Sequence, residues 1–62
     1  MLERQIGRYE RRIAEEEKLA RSAASADIAL AHHQVAMLYK TELAIVRSRR
    51  ATQLAEALAE IA

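Results

Sequence analysis

From residue 8 to residue 62 the chain contains neither glycine nor proline. These are the residues that most readily end a helix or turn a chain through a positive φ. A sheet stitched together by tight hairpin turns is hard to write without them, whereas long helices are easy. The residues that fill the stretch agree, because alanine, leucine, glutamate and arginine dominate it and all are good helix formers.

Apolar spacing supplies the next constraint. Leu2, Ile6, Tyr9 and Ile13 recur at intervals of four, three and four, and Ala20 lies on the same stripe. This is the seam of a packed helix. Arg4, Arg8, Arg11, Glu15 and Lys18 fall on the other side. The seam has one fault, since the position after Ile13 is Glu16. Between Ser22 and Asp27 the phase is lost. A second stripe begins at Ile28 and continues through Val35, Tyr39 and Val46, flanked by Ala31, Leu38 and Ile45. Ala20 and Ile28 are eight residues apart where a heptad needs seven, so the spacing predicts two helices and a short connection. Ser25 is placed to cap the second helix, with Asp27 in its first turn near the positive end of the dipole. The reading is one helical domain over residues 1–62: a helix at 2–21, a turn at 22–26 and a helix at 27–61 with a possible bend near 48–50.

An antiparallel hairpin with this turn makes facing residue numbers sum to about 48. Ile13 then meets Val35, Tyr9 meets Tyr39, Ile6 meets Glu42 and Leu2 meets Val46. The faulty seam position, Glu16, meets His32. Those two are the expected buried polar pair, whose use is to fix register rather than to add stability.

A first helix of 20 residues covers only about 30 Å, so the end of the longer second helix has no partner within the hairpin. That end carries Leu54, Leu58 and Ile61 on one face. Two copies pairing antiparallel would cover both tails, which makes the expected architecture an all-α hairpin assembled into a dimeric four-helix bundle. A three-helix bundle monomer, folded back near Ser48, is the alternative. Size points the same way: a chain of 62 residues with no cysteine needs good helix packing or a partner to be stable. Glu56 and Glu60 near the negative end of the second helix dipole give a further expectation, a last turn that frays without a partner.

Several function classes recede. Ten basic and nine acidic residues leave a net charge of +1, with no broad pull toward nucleic acid or membrane. The longest charge-free stretch considered, Ile28 to Tyr39, is too short to span a bilayer and contains His32, His33 and Gln34. The start of the chain is charged from the third residue and shows no secretory leader, so a cytoplasmic location is expected. Adjacent histidines on a helix point about 100° apart and cannot share one ion, so neither metal nor cofactor is expected. Nothing resembles a nucleophile motif, and no catalytic activity is expected.

What remains is a protein–protein interaction or self-assembly module. Its expected surface is Leu54, Leu58 and Ile61, with Leu43 and Val46 at the junction. The partner is a second copy or another protein. The alternative is a nucleic-acid accessory protein contacting phosphates through Arg47, Arg49 and Arg50. No recognition motif accompanies that cluster, and a solvated or salt-bridged face is the preferred reading of it.

Overall fold

The computed structural model describes residues 2–61. Two helices form an antiparallel hairpin, α1 over Leu2–Arg21 and α2 over Ala26–Ile61, with no strand among the described residues. The turn between them is made without a positive φ. Side chains do the work that glycine often does. Ser22 donates its hydroxyl to the carbonyl of Lys18 at 3.1 Å, which answers one of the open carbonyls at the end of α1. The backbone N–H of Ile28 donates to Oγ of Ser25 at 3.2 Å, so Ser25 is the N-cap of α2. Asp27 lies in the first turn of α2, where the helix dipole favours it.

The core is narrow. Ile6, Ile13, Leu43 and Val46 form its buried cluster, with Leu2, Tyr9 and Tyr39 packed against it. Ala20 and Ala36 are buried as well. On α1 the covered positions are those of the expected seam, Glu16 included. On α2 the expected Val35, Tyr39 and Val46 are covered, but Ala29, His32, Ala36 and Leu43 join them and Ile28 does not, so the seam is turned partly toward the Ala36–Leu43 side. Leu43, not Glu42, stands in the register position opposite Ile6, and Glu42 is exposed. Ile28, Leu38 and Ile45 point away from α1 and are exposed.

The physical reason is that α2 is apolar on two sides, so size alone does not say which side α1 takes. The side it takes carries small residues at 29 and 36, which let the helices approach, and it carries the partner for Glu16. Facing residues still sum to about 48. The rings of Tyr9 and Tyr39 lie 6.1 Å apart in a tilted arrangement.

Ion pairs flank the seam. Glu3, Glu10 and Glu17 are spaced by heptads along α1 and reach Arg50 at 3.5 Å, Arg47 at 3.5 Å and Lys40 at 3.7 Å. All six side chains are well exposed, so solvent and salt screen each pair and none adds much stability. Their use is directional, because they oppose a slip of one helix along the other. On the other flank Arg12 donates to the Tyr39 hydroxyl at 3.3 Å, and its guanidinium carbon lies 5.5 Å from the centre of that ring. The Tyr39 contact holds the Arg12 pKa above its ordinary value.

The helix α2 runs without interruption through residues 48–50, and no third helix folds back. Its 36 residues correspond to about 54 Å, and the molecule is 55 Å long. The tail beyond α1 is therefore a bare helix.

Candidate interaction surface

The tail begins where α1 starts. A notch at that step is lined by Leu2, Glu3, Gln5, Arg50, Gln53 and Leu54. Beyond it Leu54, Leu58 and Ile61 are 55%, 67% and 82% exposed. At 100° per residue they fall on a continuation of the face that α1 covers further back. Their burial would be worth roughly 1.5–3 kcal/mol each. Leu43 and Val46 were expected at the junction of this surface. They are buried in the hairpin instead, 5% and 6% exposed, in one cluster with Ile6 and Ile13.

A second apolar surface was not anticipated. It lies on the side of α2 opposite α1. Leu30, Met37, Leu38 and Ile45 stand on it, each half or more exposed. Gln34 and Thr41 join Met37 and Leu38 in a shallow groove there. Further along, the same face carries Ser48, Thr52, Ala55 and Ala59, all exposed. From Leu30 to Ala59 this face spans about 44 Å, with Glu56 directly in line with Leu38 at its edge. A signal for it existed in the sequence: Leu38 and Ile45 were visible as apolar flanks, but they were assigned to the seam.

The polar pair is formed. The Nδ1–H of His32 donates to Oε2 of Glu16 over 2.6 Å. The Glu16 side chain is 11% exposed and that of His32 30%. This is a short, charge-assisted contact at the edge of the core. His33, one residue on, is exposed. Among the described residues no group of three or more histidine, aspartate or glutamate side chains is placed to hold a metal ion. No helix of the described residues is long and apolar enough to cross a membrane.

Two members of the basic cluster are engaged within the hairpin: Arg47 and Arg50 pair with Glu10 and Glu3 of α1. Arg49 borders a groove with Arg8, Arg12 and the two tyrosines. Within that groove the Tyr9 phenol titrates above its ordinary value, first because it hydrogen-bonds to Glu42, then through burial and the Glu42 charge. A raised phenol pKa stabilises the fold below the unfolded value near ~10 and loses that contribution as pH rises through the folded value. The midpoint of thermal unfolding followed by circular dichroism is therefore lower at pH 11 than at pH 9, and Tyr9→Phe reduces that difference.

No protein-family model matches the chain, and no curated protein or solved structure matches it. The interaction surface is accordingly argued from its own residues.

Proposed function

We propose that this chain is a self-assembly module with no catalytic activity of its own, whose first contact is made by the tail of α2. The observation that carries the reading is the surface the hairpin exposes, on which Leu54, Leu58 and Ile61 stand uncovered by α1. A compact monomer of this mass exposes about 4,000 Å². The hairpin exposes 5072 Å². The excess is comparable with the roughly 800 Å² that each partner contributes to a stable interface. A helix that is apolar on more than one side is normally buried on more than one side.

In the proposed dimer two hairpins lie antiparallel, tail against tail. Each tail fills the lane that the other copy's α1 leaves empty, which makes a four-helix assembly. Leu54, Leu58 and Ile61 are the contact residues, and the notch beside Leu2 receives the end of the second tail. The acidic tail, with Glu56 and Glu60, then approaches the arginines at 49 and 50 of its neighbour. The engagement of Arg47 and Arg50 by α1 favours this reading over phosphate contact.

The test is the solution mass by light scattering over a range of concentration. Leu54→Asp with Leu58→Asp lowers the mass and leaves the helical content of the hairpin intact, because both residues are exposed in the hairpin. An unchanged mass would remove the tail from the interface.

A further inference from the structure

The net charge of +1 conceals a separation of charge along the hairpin. Every acidic residue of α1 is held by a neighbour. Glu3, Glu10 and Glu17 meet Arg50, Arg47 and Lys40 of α2, Glu16 meets His32, and Glu15 meets Arg12 at 3.4 Å. The basic residues of α1 are not used up in this way. Arg4, Arg8, Arg11 and Lys18 have no carboxylate partner among the described residues. At 100° per residue these four and Arg12 fall within an arc of about 120° on the side away from the seam. All five are exposed, and Glu15 is the one acidic residue among them.

We infer that this outer face of α1 binds the phosphate backbone of a nucleic-acid duplex without reading its sequence. The face excludes Arg47 and Arg50, which are engaged with α1, and the inference does not depend on self-assembly.

The choice of side chain points to an oxyanion. Four of the five cations are arginine, whose planar guanidinium takes two oxygens of one group at once. Their spacing points to a repeated one. From Arg4 to Lys18 the row runs about 21 Å along a straight helix. A duplex carries one negative charge for about every 1.7 Å of its axis, so each cation in the row has a phosphate within reach. Arg4, Arg8 and Arg11 are four and three residues apart, spacings at which like charges destabilise a helix. A polyanion laid along the row removes that repulsion.

The make-up of the face separates this occupant from others. A protein partner is usually anchored by aromatic or aliphatic side chains at the centre of the contact. Leu19, 46% exposed, is the one large apolar residue of the arc and stands toward its end. A helix lying on a bilayer inserts its apolar side, but that side of α1 is spent in the core with Leu43 and Val46. A single strand is held by aromatic platforms. Tyr9 and Tyr39 lie on the flank instead, and Arg12 already covers the Tyr39 ring at 5.5 Å. The arc carries no asparagine or glutamine to pair with adenine, so phosphate contacts set the affinity.

The experiment is fluorescence anisotropy of a labelled DNA duplex titrated with the full chain at a series of salt concentrations. Four phosphate contacts give a log–log salt slope of about −4, a loss of affinity of about 100-fold between about 50 and 200 mM salt. A second duplex of unrelated sequence binds equally well. Arg4→Gln, Arg8→Gln and Arg11→Gln together weaken binding by about 10-fold or more at low salt and flatten the slope by about 3. Helical content is unchanged, because all three side chains are exposed. Lys40→Gln, Arg47→Gln and Arg50→Gln remove the same charge from α2 and leave binding within about 3-fold. No binding at low salt overturns the inference, and so does an equal fall in the two triple variants. Tighter binding to a single strand, or to vesicles of phosphatidylserine and phosphatidylcholine, overturns the choice of a duplex. A fall in solution mass in the Arg4, Arg8 and Arg11 variant overturns it by giving the face to another copy of the chain.

Discussion

Leu43→Ala lowers the stability of the hairpin by about 3 kcal/mol, while Leu38→Ala, only five positions away on the same helix, changes it by less than about 0.5 kcal/mol. Leu43 is 5% exposed and packs with Ile6, Ile13 and Val46, so its truncation removes apolar contact and leaves a cavity in a core with few other members. Leu38 is 65% exposed and contributes nothing to that cluster. A core this small supplies only about 3–5 kcal/mol in total. The first substitution therefore leaves a largely unfolded chain, and the second an intact one. Urea denaturation followed by circular dichroism checks the pair, at a concentration low enough that association does not contribute. Equal losses at the two positions would mean that the face toward α1 is not the one described.

Removing one partner of the Glu16–His32 contact has the second large effect. His32→Leu strands a carboxylate whose side chain is 11% exposed, at a cost of about 3 kcal/mol. Replacing both residues with leucine reverses the sign. The double variant is more stable than the wild type by at least about 1 kcal/mol, because neither group is then desolvated without a partner. The two substitutions are thus strongly non-additive, and a double-mutant cycle of unfolding free energies reads the coupling directly. Additive effects would show that the contact of 2.6 Å carries no energy of its own. The pair favours the register: it sets the one buried carboxylate of α1 opposite His32, over a contact of 2.6 Å.

Much of the fold was legible before the structure. The seam of α1 was visible from the spacing of Leu2, Ile6, Tyr9 and Ile13, since only one face of that helix is apolar. The turn was legible from the phase slip after Ala20, and Ser25 from its chemistry as a cap. The juxtapositions of Tyr9 with Tyr39 and Glu16 with His32 followed from the register. The face of α2 was legible only in part: Val35, Tyr39 and Val46 are covered as expected, and Ile28 is not. Ile28, Leu38 and Ile45 are larger than Ala29 and Ala36, and a reading guided by side-chain size assigned the larger residues to the core. The structure instead uses the small positions for close approach and leaves the large ones outside. The same error placed Leu43 on the interaction surface; Val46, a seam residue from the start, was set at its junction as well, and both belong to the hairpin core. It also concealed the second apolar surface, because residues counted as flanks of the seam were not available to be counted as a face. The ion pairs of Lys40, Arg47 and Arg50 with α1 were missed for a different reason: spacing predicts which residues share a helix face, but not how far long side chains reach along it.

Because α2 presents more apolar surface than α1 can cover, the central claim is that the hairpin is completed by other copies of itself. Sedimentation equilibrium of the unmodified chain, from low to high concentration, tests it most directly. The account predicts a mass that rises with concentration to at least twice the 7.0 kDa of one chain. A constant mass of one chain across the whole range, with full helical content, would contradict it.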